Sequence, residues 1–351
     1  ADAQFAQAEK LDPRDGEAKI LHGIALQALG RAVEAQKSLE AGLKVKPDSY
    51  DGHRYLARVL AEQGSVDKAL KEYERCSVLK PDLAEPWVRA GILNADRKSN
   101  KESEKALRKG LALEPQHGEA LAELASVLLA QQRFPEALEA ASKAVSADPK
   151  NAYALHSLAF AQVKSGKPKD AEATYGRILT LDPGDARAHA GLAAACYENK
   201  EMEKARDHFR KASELDPKDP VLFKNLGTTC YFLGDYKGAV VAYQKAAELD
   251  PADAAARTYR DQFAEAGAQG YMERASQAYV QGDYQAARSW CRKALELQPA
   301  NAQAKELLDL GDRKAAEMAD EHHARGLAFL KKGSRAAAAD DPGLELRERH
   351  P

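Results

Sequence analysis

Cysteine is scarce in this sequence, with 4 residues among 351. Four cysteines do not make the disulfide framework on which small exported domains depend. Long hydrophobic runs are also lacking. The longest uncharged stretches, such as the one from Asn151 to Val163, contain His and Gln and fall well short of the ~18 to 20 apolar residues that span a bilayer. We therefore expect buried, reduced thiols and no membrane insertion.

An excess of either charge is lacking too. The sequence has 52 Lys and Arg against 54 Asp and Glu, a formal net charge of -2, so it has no long-range attraction for nucleic acid or an anionic membrane. It begins Ala-Asp-Ala, without a positively charged leader, which predicts that a signal peptide is absent or already removed. The thiols favour a cytoplasmic location, with an exported or periplasmic one as the alternative.

Catalytic and cofactor motifs are missing as well. The sequence contains no Gly-x-Gly-x-x-Gly, no phosphate-binding loop, no His-Glu-x-x-His and no Cys-x-x-Cys. His322 and His323 stand beside two acidic residues, but adjacent residues of a helix point about 100° apart and do not easily share one metal ion. We therefore predict no catalytic residue, no metal site and no cofactor.

Proline, in contrast, is arranged with strict regularity. Eight of the 15 prolines follow one another at steps of 34 residues, which indicates an array of repeats rather than independent globular cores. They are Pro13, Pro47, Pro81, Pro115, Pro149, Pro183, Pro217 and Pro251.

Alignment on these prolines gives seven contiguous repeats over 16–253, and each position of a repeat is here called a column. Columns eight and twenty hold only small residues, which lets two helices approach closely. Column twenty-four holds a large apolar residue in six of the seven repeats and column thirty holds Leu in five, which predicts a core. Column fifteen holds Gly30, Gly64, Gly166 and Gly234, where a first helix must end.

This pattern resembles the tetratricopeptide repeat, and "NLGTTCYFLGDYKGAVVAYQKAAELDP" at 225–251 is similar to it almost residue for residue. The resemblance covers roughly residues 1–301. It implies an all-α fold, a right-handed α-solenoid of 34-residue helix-turn-helix repeats, with an adaptor role in protein-protein interaction.

Several segments depart from the pattern. Residues 1–15 read as the second helix of a truncated repeat, which suggests a fragment of a longer protein. The next proline in register, Pro299, follows Pro251 by 48 residues, which is 14 more than one period. Residues 254–301 are therefore predicted to be a repeat whose first helix is extended by 14 residues, and a degenerate helix pair is the alternative. Residues 302–333 suit capping helices, and 334–351 read as a tail.

The first helices line the concave face of such a stack, where solenoids bind ligands. Columns two, five, nine, twelve and thirteen should face this groove. Aromatic side chains concentrate there in the later repeats, as is typical of binding surfaces. The predicted partner-binding residues are Arg54, Arg58, Tyr153, His156, Phe160, Arg187, Tyr197, Lys224, Tyr231, Phe232, Met272 and Tyr279.

Two functions follow from this reading. The first is a non-catalytic scaffold or adaptor that binds a peptide or a partner helix in its concave groove. The alternative, drawn from similarity to other repeat domains, is a regulatory or targeting domain of a larger glycosyltransferase or polysaccharide or envelope export protein. Self-association through the incomplete N-terminal repeat at 1–15 is a further expectation.

Overall fold

The computed structural model describes residues 14–331, and these form seventeen α-helices and no strand. The predicted all-α fold is therefore confirmed. The chain divides into two compact units, 1–199 and 200–351. The helices of the first unit are α1 Gly16–Ala28, α2 Ala32–Val45, α3 Tyr50–Glu62, α4 Val66–Leu79, α5 Glu85–Asp96, α6 Asn100–Leu113, α7 Gly118–Ala130, α8 Phe134–Ala147, α9 Ala152–Lys164, α10 Pro168–Leu181 and α11 Ala186–Glu198.

The second unit continues the alternation of first and second helices, and it contains the two longest helices of the described chain. One continuous helix spans the 14 extra residues, and another occupies the segment predicted to cap the array. Its helices are α12 Met202–Leu215, α13 Pro220–Phe232, α14 Tyr236–Leu249, α15 Ala254–Val280, α16 Tyr284–Leu297 and α17 Ala302–Lys331. The expectations for residues 1–13 and 332–351 lie outside the described residues.

Polar side chains fix where the first helices begin. Asp15, Ser49, Asn151, Asp185 and Asp253 each accept a hydrogen bond from a backbone N–H in the first turn. Such caps satisfy donors that have no partner inside the helix and contribute about 1 kcal/mol each. Within the described residues, no helix is long and apolar enough to cross a membrane.

The turn inside each repeat requires a left-handed backbone at column fifteen. Five glycines adopt positive φ there, including Gly282 at 80°. Lys98, Gln132 and Lys200 occupy the same column in the remaining repeats, with φ of 60° to 64°. The left-handed turn is therefore kept even in the repeats that have no glycine at this column.

The small columns form the closest helix contacts. The column-twenty residues Ala35, Ala69 and Ala137 are fully buried, and so is Ala57 in column eight. The polar exception in column twenty, Ser103, is also buried, and its hydroxyl donates to the carbonyl of Gly91 in column eight at 2.8 Å. Within each unit, the first helix of a repeat is thus packed against its own second helix along one line of small residues.

Column thirty, in contrast, does not form the core that the pattern predicts. Leu113, Leu181 and Leu215 are 38% to 48% exposed. These leucines lie in the last turn of the second helices, next to the connection to the following repeat. In the described structure few side chains pack over this last turn, so the leucines there remain partly exposed to water.

The four cysteines are buried and free, as expected for reduced thiols that pack as small apolar groups. Burial raises the pKa of the Cys230 thiol to about 11 and that of Cys76 to about 12. These two thiols are therefore neutral near pH 7 and weakly reactive.

His53 connects α3 to its neighbours through both ring nitrogens. Nδ1 lies 2.6 Å from the carboxylate of Glu72 and Nε2 lies 2.8 Å from the carbonyl oxygen of Pro47. Both partners accept, so the geometry suits a ring protonated on both nitrogens. Burial acts to lower the pKa of His53, and so does the nearby Arg75, but the two hydrogen bonds and the charge of Glu72 raise it above its ordinary value.

The close packing at column eight can be tested with two identical substitutions. A Cβ at Gly227 would lie 2.5 Å from a ring carbon of Tyr243 and 3.1 Å from the carbonyl of Ala239, whereas a Cβ at Gly270 meets nothing within 4 Å. We expect Gly227→Ala to destabilise by about 1–2 kcal/mol despite its better helix propensity, and Gly270→Ala to stabilise by about 0.5–1 kcal/mol. Urea denaturation followed by circular dichroism measures both. Equal effects of the two substitutions would contradict the packing argument.

The protonation of His53 predicts a pH dependence. Because its pKa is raised in the folded state, the stabilisation that it provides is complete below about pH 6.5 and is lost as the pH rises through the folded-state pKa. The difference in free energy of unfolding between wild type and His53→Gln should therefore be larger near pH 5.5 than near pH 8.5. The same denaturation experiment at the two pH values measures it, and a difference independent of pH would refute the assignment.

Candidate functional site

A cavity of about 540 Å³ lies in the first unit beside three successive first helices, α7, α9 and α11. Its volume falls in the range of sites that hold small ligands or side chains. Four of the residues predicted to bind a partner line it together, namely Tyr153, His156, Phe160 and Arg187. The sequence columns thus bring these four side chains to one place.

Small residues on the neighbouring helices create this space. Ala190 and Ala194 occupy columns five and nine of α11, and Ser126 occupies column nine of α7. Gly191 lies between the two alanines, and a Cβ there would fall 2.2 Å from the Tyr175 ring, which forms part of the same wall. The aromatic rings of α9 therefore lie between short side chains of α7 on one side and of α11 on the other.

Tyr153 and Phe160 present large apolar surfaces in this space. They are 43% and 44% exposed, values that are high for aromatic residues within a helical array. Leu129 and Val163 complete the apolar part of the lining. The Lys164 ammonium lies 5.5 Å from the centre of the Phe160 ring, so one end of the apolar surface carries a positive charge.

His156 is held by the last residue of its own repeat, which also caps the first helix of the next one. Its Nε2 lies 2.7 Å from Oδ2 of Asp185, and its ring packs edge-on against Tyr175. Burial acts to raise the pKa of Asp185, yet that pKa is lowered, because the N–H of Ala188 and the His156 ring donate to the carboxylate. Asp185 thus caps α11 and holds a side chain of α9.

The same bridge recurs in the second unit. Lys224, in the same column as His156, lies 2.8 Å from Asp253, which caps α15. In both units a cation or imidazole of column five contacts the carboxylate at the end of its own repeat. Lys224, which was predicted to face a ligand, forms an ion pair within the protein.

Two earlier predicted residues, Arg54 and Arg58, lie near a different cavity. Arg54 forms ion pairs with Glu85 at 3.3 Å and Asp51 at 3.1 Å, and its guanidinium lies 4.7 Å from the Tyr55 ring centre. Arg58 is exposed and lines a cavity of about 420 Å³. This second cavity is rich in charge and has fewer apolar and aromatic residues in its lining than the first.

The predicted aromatic residues of the second unit are arranged differently. Tyr231 stacks on Phe263 with ring centres 4.2 Å apart, and Phe263 belongs to the 14 additional residues. Phe232 is 59% exposed, while Met272 packs against a small apolar cluster around Ala268. The Tyr231 ring therefore packs against the long helix.

The column-twelve tyrosines are half-buried. Tyr279 meets Tyr284 edge-on at 5.1 Å, and Tyr231 meets Tyr236 at 5.7 Å, so each ring packs on the start of its own second helix. Tyr197 is half-buried in the first unit, and burial raises its pKa. These rings do not line the cavity of the first unit.

Sequence reasoning missed the short side chains that shape the cavity. Ala190, Gly191 and Ala194 carry no chemistry of their own, so a search for reactive or aromatic residues passes over them. The available signal was a pair of alanines in columns five and nine of one repeat, next to a repeat with large residues in the same columns.

Family models described as tetratricopeptide repeat match residues 20–82, 91–152 and 157–220, and further models of the same description match 128–179, 220–253 and 268–301. A search of curated proteins finds no match.

Solved structures of low identity are similar to parts of this chain. YrrB, described as a TPR protein with an unusual peptide-binding site, is 20% identical, with a TM-score of 0.47 over 54% of this chain and 97% of its own. MamA from Desulfovibrio magneticus RS-1 is 22% identical, with a TM-score of 0.45 over 49% and 97%. PilF of Pseudomonas aeruginosa is 20% identical, with a TM-score of 0.44 over 64% and 95%.

The different settings of the aromatic residues predict different stability effects. Tyr231→Ala removes a stacked ring and should destabilise the second unit by about 2–4 kcal/mol, whereas Tyr153→Ala removes a ring that is nearly half exposed and should cost about 1 kcal/mol. Tyr231→Phe, which keeps the stacking, serves as the control and should be close to wild type. Hydrogen exchange of each unit measures these effects separately. A larger loss for Tyr153→Ala would show that the two rings have been assigned the wrong roles.

Proposed function

We propose that this chain, which belongs to the tetratricopeptide repeat family, is a non-catalytic protein-interaction scaffold that binds a partner segment in the cavity between α7, α9 and α11. Membership of the family supports the general role, because such repeats typically serve as scaffolds and not as enzymes. The observation that supports this particular site is the pair of half-exposed rings, Tyr153 and Phe160, beside an unfilled apolar space.

Exposed aromatic rings next to a cavity are costly for a protein that binds nothing. Each ring leaves apolar area in water that a ligand would remove, at roughly 25 cal/mol per Å². Tyr and Phe also lose little conformational entropy on binding, because each has two side-chain torsions. The apolar side chain of a partner is therefore the group that fits the space between these rings and the alanines of α11.

The supporting residues are suited to holding this geometry without a ligand. Asp185 is bonded to His156 on one side and caps α11 on the other. A preformed site costs less to occupy than one that must be ordered on binding. The lining supplies contact surface and charge, and the described residues offer no observation in favour of a domain that guides a polymer or a catalytic neighbour.

The proposal predicts that filling the cavity abolishes binding as effectively as removing its rings. Ala194→Leu adds side-chain volume to the wall and keeps every ring and charge, while Tyr153→Ala and Phe160→Ala remove contact surface. Each should weaken binding of a partner peptide about tenfold or more. Peptides selected from a displayed random library on the wild-type chain provide the probe, and isothermal titration or fluorescence anisotropy provides the affinity.

Leu181→Ala is the matched control, because Leu181 is 48% exposed in the same unit and does not line the cavity. Its affinity for the selected peptides should equal that of wild type, and circular dichroism should show every variant folded. Peptides that bind the three cavity variants as tightly as wild type would rule this cavity out as the binding site.

A further inference from the structure

We infer that the segment bound by this cavity carries an acidic side chain beside its apolar one, and that the acidic group pairs with Arg187. This inference rests on the proposed function and specifies the chemistry of the partner. The site lies at the start of α11, where Arg187 joins the apolar lining formed by Tyr153 and Ala190.

Arg187 differs from three other cations of the first helices, which form ion pairs within the protein. Arg54 pairs with Glu85, Arg89 pairs with Glu119 at 2.7 Å, and Lys224 pairs with Asp253. Arg187 and Lys164 line the cavity, yet no carboxylate among residues 14–199 forms an ion pair with either side chain. Glu198 is the carboxylate of the lining and lies at the opposite end of α11, so the charge of Arg187 at the start of that helix is left without an ion pair in the described part of this unit.

The neighbouring carboxylate is not available to Arg187. Asp185 stands two residues earlier, but its Oδ2 is 2.7 Å from His156 Nε2 and its Oδ1 accepts from the backbone N–H of Ala188 at 2.8 Å. Arg187 also lies in the first turn of α11, where the helix dipole disfavours a cation and favours an anion. A ligand carboxylate at this place gains from the guanidinium and from the helix end together.

An acidic residue of α7 that lies near Tyr153 disfavours an acidic ligand group on that side of the site. Glu123 of α7 is half-buried; burial raises its pKa, and the carboxylates of Asp96 and Glu119 add to that effect, although the Tyr153 hydroxyl opposes it. Glu119 is paired with Arg89, and Glu198 lines the cavity at the far end of α11, so a ligand carboxylate is disfavoured near Glu123 and near Glu198. The acidic side chain is therefore directed to Arg187 at the start of α11, and the apolar one to the space beside Tyr153 and Phe160.

Parallel selections test this inference. A library of random short peptides displayed on phage is selected on the wild-type chain, on Arg187→Glu and on the control Lys169→Glu, which makes the same charge change at an exposed residue of α10 outside the cavity. Peptides from wild type and from Lys169→Glu should be enriched in Asp or Glu next to a large apolar residue. Peptides from Arg187→Glu should carry Lys or Arg in that place.

A charge swap on one synthetic peptide gives the quantitative result. Replacing its acidic residue by Lys should weaken binding to wild type about tenfold or more and strengthen binding to Arg187→Glu, with a smaller difference at high salt. Selected peptides without charge preference, or with unchanged affinity for Arg187→Glu, would overturn the inference. If those peptides still depended on Tyr153, Phe160 and Ala194, the proposed function would stand. Peptides independent of all three residues, or no selected peptide at all, would count against both.

Discussion

The structure depends on the contact between two small residues, one from each helix of a repeat. Columns eight and twenty are buried in every described repeat from 16 to 253, and their side chains are limited to Gly, Ala and Ser. This contact sets how closely the two helices of a repeat approach. Some of the other side chains of a first helix pack against neighbouring helices. The rest lie on its outer face, where packing does not restrict their size.

The candidate site arises from that freedom. Residues in columns two, five and nine of α9 are Tyr153, His156 and Phe160, while α11 has Arg187 and two alanines in the same columns. Large rings beside short side chains leave a space, and the order of columns places an arginine at one end of it. A change of three or four residues in two repeats can therefore produce a cavity of this kind while the shared packing of the array stays the same.

The fold could be predicted almost completely from the sequence, because the periodic prolines, the small columns and the turn glycines all report the same helix pair. The site was predicted in part. Tyr153, His156, Phe160 and Arg187 follow from their columns, since a column fixes the direction of a side chain. Tyr231 shows the limit of this reasoning: its column is the same as that of Tyr197, but the inserted Phe263 lies against its ring. Column thirty shows another limit, because the hydrophobicity of a leucine does not reveal how much neighbouring chain covers the last turn of its helix.

The bridge from column five to the capping aspartate also restricts how such a chain can change in length. Asp185 closes one repeat, caps the first helix of the next and holds His156 within the repeat that it closes. An extra residue in the connection between repeats would rotate and shift all of these contacts together. The 14 additional residues of α15 avoid this problem, because they extend the inside of a helix by nearly four whole turns at about 3.6 residues per turn. Growth in whole turns returns the later side chains to their original faces of the helix. Whether an insertion in this array is tolerated should therefore depend more on whether it adds whole helical turns than on how many residues it adds.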